Sequence, residues 1–97
     1  MPTYISLLHF TQQGIEKIKE SPARLDRARQ AFQAMGAEIK GFYLVMGQYD
    51  AVLIAEAPDG ETVAKLILAT GSQGNVRTET MRAFSEDEYR KLIAALP

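Results

Sequence analysis

The run Phe42-Tyr43-Leu44-Val45-Met46-Gly47-Gln48-Tyr49-Asp50-Ala51-Val52-Leu53-Ile54-Ala55-Glu56-Ala57 decides how this chain folds. Two stretches rich in β-branched and aromatic residues flank a short polar break, and such residues suit a pleated, half-buried strand. Gly47 can supply the positive φ of a tight turn, and the next apolar run begins straight after Asp50. The run therefore predicts a β-hairpin: a strand over 38–46, a turn at 47–50, and a strand over 51–57. In the second strand Ala51, Leu53, Ala55 and Ala57 share one parity, and the other carries Val52 and Ile54 between Asp50 and Glu56. Both faces of that strand call for burial.

Working outward, Thr3-Tyr-Ile-Ser-Leu-Leu-His-Phe10 has the same strand character, with Tyr4, Ser6, Leu8 and Phe10 alternating with Ile5, Leu7 and His9. Thr11 can cap a short helix carrying Ile15 and Ile18. Ser21-Pro22 interrupts it: proline fits the first position of a new helix, with Ser21 as its cap. That helix runs to Met35 with Leu25, Ala28, Phe32 and Met35 as its apolar stripe and Arg24, Arg27 and Arg29 facing mostly outward. Gly36 ends it in a left-handed conformation. Beyond the hairpin, Asp59 caps a helix to about Thr70 whose buried side is Val63, Leu66 and Ile67. Gly71 and Gly74 close it, and a fourth strand spans 75–84. Ser85 and Glu88 fit a capping box, Phe84 can staple onto Tyr89, and Glu86, Asp87 and Glu88 favour the positive end of the helix dipole.

The order is β-α-β-β-α-β plus a C-terminal helix, an α+β class with a four-stranded antiparallel sheet and both main helices on one face. The other sheet face is left uncovered, although the central strands carry apolar residues on both faces. An apolar surface of that extent is unusual on a free monomer, and a homodimer packed sheet on sheet is the simplest remedy. The C-terminal helix covering that face, or swinging onto a neighbour, is the other solution.

Composition narrows function mainly by exclusion. The chain has 97 residues, 46% hydrophobic and 24% charged, which fits one domain over 1–97. A net charge of -1 gives no electrostatic footprint for nucleic acid. The absence of cysteine removes disulfides, thiolate nucleophiles and cysteine-held metals, and the single histidine removes multi-histidine sites. No apolar run reaches the ~20 residues of a membrane span. The expectation is a soluble, cytoplasmic protein with no membrane partner.

Gly47-Gln48-Tyr49-Asp50 resembles the Gly-x-Tyr-Asp signature of the GYD-domain family. Phe10-Thr11-Gln12-Gln13-Gly14-Ile15, Glu56-Ala57-Pro58 and Gly74-Asn75-Val76-Arg77-Thr78 extend the resemblance over essentially the whole chain. It implies a ferredoxin-like plait of the dimeric α/β-barrel kind, and it implies little chemistry. The hairpin is also similar to that of ligand-sensing domains of leucine-responsive regulators, but no DNA-binding helix-turn-helix precedes it here.

Two residues are candidates for catalysis. His9 is the one side chain whose ordinary pKa lies near neutrality, and Asp50 can act as a base or hold an amine; isolated strand-end histidines are usually polar surface residues, and turn aspartates usually bond backbone amides. Tyr4, Ser6, Tyr49, Asp50, Arg77 and Glu79 are the candidate ligand-binding set. Tyr49 can instead pack across the sheet, and Arg77 and Glu79 can form an ion pair or leave Arg77 to clamp a carboxylate. Gly71-Ser72-Gln73-Gly74-Asn75 runs from helix to strand, the reverse of a phosphate cradle. Glu86, Asp87 and Glu88 are explained by the helix dipole, so no metal site and no cofactor are expected; heme on His9 has no further support. The sequence thus points to a homodimeric small-molecule-binding module with its cavity between the two sheets. Its alternatives are a cofactor-independent monooxygenase- or isomerase-like enzyme, and a structural assembly subunit.

Overall fold

The hairpin forms as a pair of strands, β2 (Glu38–Leu44) and β3 (Ala51–Glu56), in a computed structural model that describes all residues, Met1–Pro97. β2 stops two residues short of the expected end, and the connection closes with the Val45 amide donating to the Asp50 carbonyl at 2.9 Å. Gly47, at φ 151°, sits within it, where a residue with a Cβ is disfavoured. The remaining elements are β1 (Thr3–Phe10), α1 (Gln12–Glu16), a 3-10 turn (Ile18–Glu20), α2 (Ser21–Ala34), α3 (Gly60–Ser72), β4 (Val76–Ala83) and α4 (Glu86–Ala94). The sheet is four-stranded, in the order β2-β3-β1-β4, and every neighbouring pair is antiparallel. This is the ferredoxin-like plait expected from the element order.

Most local signals act as read. Thr11 accepts from the Gly14 amide, Asp59 from the Thr62 amide at 2.8 Å, and Ser85 and Glu88 form both halves of the capping box. Gly36 and Gly74 adopt φ 76° and 82°. Ser21 departs from expectation: it is already helical, Glu20 occupies the cap position, and no side chain caps α2. The preceding 3-10 turn delivers the chain into α2 with helical geometry, so the bend needs no N-cap oxygen.

The core lies between the sheet and helices α2 and α3. Leu8, Phe32, Ile39, Leu53, Val63 and Leu66 are buried there, beside Ala37, Ala51, Ala55 and Ala57. A register shift between Ile39 and Gly41 lets both Ile39 and Phe42 join this face, opposite Ala55 and Leu53. Without the extra residue, strand alternation would send one of them to the other side. Met35 is the exception in the α2 stripe, 38% exposed at the C-cap.

Two of the arginines read as outward-facing turn inward. The Arg24 side chain is only 12% exposed and donates to the Lys17 and Gly14 carbonyls at 3.1 and 3.4 Å. Arg29 donates to the Ile39 carbonyl at 3.1 Å, tying α2 to β2. A long aliphatic stem lets a guanidinium cover apolar surface while reaching a distant acceptor, which residue spacing does not reveal.

α4 does not cover the open sheet face. None of its residues is buried, and Tyr89, Leu92, Ile93 and Leu96 are all at least half exposed. The radius of gyration is 14.7 Å, against about 12.5 Å for a compact chain of this length. α4 therefore extends the molecule instead of completing its core.

Candidate functional site

The strand register assembles the open face. His9 lies opposite Arg77, Leu7 opposite Glu79, and Ile5 opposite Met81. On the other side Leu7 pairs with Val52, Ile5 with Ile54, and Val52 with Tyr43. The middle of this face is thus an apolar field of Ile5, Leu7, Tyr43, Val52, Ile54 and Met81. None of these is fully buried, and Tyr43 and Met81 are 59% and 46% exposed.

At one end of the field the hairpin brings in Tyr49. Its ring stands 4.7 Å from that of His9, tilted by 33°, and its hydroxyl donates to Glu79 at 2.7 Å. That hydrogen bond holds the phenolic proton, and the carboxylate opposes a second negative charge, so the Tyr49 pKa is raised above the usual 10.0. Glu79 is engaged by Tyr49, and the expected Arg77–Glu79 ion pair does not form; Arg77 is exposed and takes part in no salt bridge. His9, Tyr49, Arg77 and Glu79 form one polar corner on the rim of the apolar field.

Asp50 lies beneath this corner in a structural position. Its carboxylate accepts the Phe10 amide at 2.9 Å, and its own amide donates to the Leu8 carbonyl. The side chain thereby extends the β1–β3 ladder beyond the last backbone pair. Tyr4 and Ser6 lie on the opposite, helix-covered face. Ser6 is buried and shares a 2.7 Å hydrogen bond with Thr80, and the Tyr4 ring lies 5.9 Å from the Arg82 guanidinium. Strand alternation separates them from Arg77 and Glu79, so the seven candidate residues fall into three places. No group of three or more acidic or histidine side chains converges as a metal site.

Two features escaped the residue pattern. One is a cavity of about 140 Å³ between the sheet and α2 and α3, which includes Arg24 in its wall and neither His9 nor Asp50. The other is a clasp joining two distant motifs. The Thr11 amide donates to the Asn75 carbonyl at 3.1 Å, Thr11 Oγ1 to the Gly74 carbonyl at 2.6 Å, and Gln13 Nε2 to Asn75 Oδ1 at 3.0 Å. Gly14 packs so closely on Asn75 that a Cβ would meet the Asn75 carbonyl. The motif glycine therefore serves this close approach.

A four-stranded antiparallel plait with two helices on one face and an open, apolar, polar-rimmed opposite face is a ferredoxin-like architecture. The chain belongs to the GYD domain family, whose model matches residues 4–93. Over 84 residues it is 37% identical to the glutamine synthetase and cystathionine beta-lyase binding protein of Thermus thermophilus, covering 86% of this chain and 88% of that protein. A crystal structure of a Thermus thermophilus protein matches with TM-score 0.56 at 24% identity, over 88% of this chain and 95% of that one. The feast or famine regulatory protein of M. tuberculosis, complexed with L-methionine, matches with TM-score 0.66 at 16% identity over 88% of this chain. The chain spans about half of that regulator, covering 51% of its length. No helix is long and apolar enough to cross a membrane.

Proposed function

We propose that this chain is a binding module that works as a homodimer, its two open sheet faces packed on each other, and that it docks onto metabolic enzymes. The open apolar field of Ile5, Leu7, Tyr43, Val52, Ile54 and Met81 carries the proposal, because neither α4 nor any other element of the protomer covers it. Pairing two such faces removes both from water by one symmetric contact. The polar corner then rims the space between the sheets, where Arg77, free of ion pairs, suits an anionic group of a small molecule or of a partner surface.

The enzyme-binding half rests on the Thermus relative, named for the two enzymes it binds, and on the form of α4. Tyr89, Leu92 and Ile93 recur at i, i+3 and i+4 on one exposed helix side, and the exposed Leu96 follows just beyond the helix end. That spacing is the anchor pattern of a helix laid into a partner's groove. Asp50 is a poor catalytic base, because its carboxylate is occupied by the Phe10 amide.

Native mass spectrometry tests the assembly. The wild-type chain should be dimeric at micromolar concentration, and Val52→Lys together with Ile54→Lys should yield folded monomer. A monomeric wild type sinks the proposal. Titration against purified glutamine synthetase and cystathionine β-lyase from its own organism tests docking, with Leu92→Asp/Leu96→Asp expected to abolish it and leave the dimer intact.

A further inference from the structure

We infer that the cavity between the sheet and helices α2 and α3 is a binding site for a small monocarboxylate, with Arg24 holding the carboxylate and the core taking the apolar body. The site is independent of self-association, because its sheet residues, such as Leu8, Leu53 and Thr78, all lie on the helix-covered face.

Size, polarity and charge each narrow the ligand. The volume is about 140 Å³, close to the ~150 Å³ of apolar cavities that take up benzene, which sets the body at about six carbons. Leu8, Phe32, Leu53 and Leu66 are buried and line it. Every buried side-chain polar atom of the chain already has a hydrogen-bond partner. Nothing in the wall therefore demands water, and an apolar occupant fits.

The only charged residues in the lining are Arg24 and Arg27, and no carboxylate accompanies them. This cationic pair stands out on a chain of net charge -1. Arg24 is held by the Gly14 and Lys17 carbonyls, which fix its guanidinium and leave other N–H donors free. Its nearest acidic group, Glu20, is 4.0 Å away with its side chain 65% exposed. A bound carboxylate competes with that solvated contact on favourable terms, since guanidinium and carboxylate can pair through two parallel hydrogen bonds.

The test is an amide-shift titration of the full chain, observed by NMR, with hexanoate, benzoate and hexylammonium. The two carboxylates should shift Leu8, Phe32, Leu53 and Leu66 saturably, and hexylammonium should not. Arg24→Gln should weaken hexanoate by about tenfold or more, the usual effect of losing a charge-assisted hydrogen bond. Glu20→Gln should tighten it. Ala28→Leu, which fills the cavity, should abolish binding without lowering the melting temperature, so the inference does not depend on Arg24→Gln folding. Absence of saturation, equal binding of hexylammonium, or shifts confined to Ile5, Leu7 and Val52 would overturn it. Native mass spectra of the same samples report the dimer separately.

Discussion

Asp50 gives the sharpest check on how this fold is held together. Its carboxylate accepts the Phe10 amide at 2.9 Å while its own amide donates to Leu8, so one residue closes the end of the β1–β3 ladder twice. Asp50→Ala leaves the Phe10 amide without that acceptor. Hydrogen bonds to charged groups contribute about 1.5–3 kcal/mol, and the half-buried setting of both residues favours the lower end. At about 1.5 kcal/mol, a domain of this size should melt about 6–12 °C lower. Asp50→Asn keeps a carbonyl acceptor and should lose about half as much. Thermal melts must be compared at one protein concentration, because any self-association couples to stability. Hydrogen exchange at the Phe10 amide gives a local readout, with protection lost in the alanine variant and largely kept in the asparagine variant. A stability change within about 0.5 kcal/mol, the scatter of ordinary surface substitutions, with Phe10 still protected, would refute this role.

Three more outcomes follow from the same structure. Gly14→Ala drives a Cβ into the Asn75 carbonyl and should destabilise by about 1–3 kcal/mol. Gly71→Ala meets open space in α3 and should be neutral or stabilising by up to about 1 kcal/mol; chemical denaturation ranks the two, and equal effects would contradict the clasp. Tyr49 should titrate above 10.0 because Glu79 holds its proton, so its contribution is complete below 10.0 and is lost as pH rises through the raised folded value. NMR of the ring should show Glu79→Gln returning the pKa toward 10.0. Glu88 behaves in the opposite sense: its bond from the Ser85 amide lowers its pKa below the usual 4.5. The cap is therefore intact above 4.5 and fails as pH falls through the lowered folded value. Amides of α4 should lose exchange protection before those of the sheet, since α4 has no buried residue; simultaneous loss would show that α4 is packed.

How much was legible varied with the range of the interaction. The hairpin, the Asp59 cap and the Ser85–Glu88 box are signals between residues a few positions apart, and they act as the sequence implies. The boundary of β2 and the bulge beside Lys40 were not legible, because register is settled against the partner strand. For the candidate site, His9 comes together with Arg77 and Glu79 only through the register in which β1 pairs with β4. Tyr49 joining Glu79 instead of leaving it to Arg77 depends on how the hairpin folds back over the sheet. Tyr4 and Ser6 share even parity, and only the side taken by α2 and α3 separates them from the open face.

The sequence by itself determined the order of elements, the caps of α1, α3 and α4 and the presence of apolar residues on both faces of the central strands. Those properties depend on chirality, on strand and helix periods, and on hydrogen bonds within a turn of chain. The tertiary structure decided which apolar face is covered, which is left open, and where Arg24 points. α2 and α3 can lie on only one side of the sheet, and α4 reaches neither side. A long arginine stem has no periodicity, so its partners emerge only when α1 and α2 are packed together.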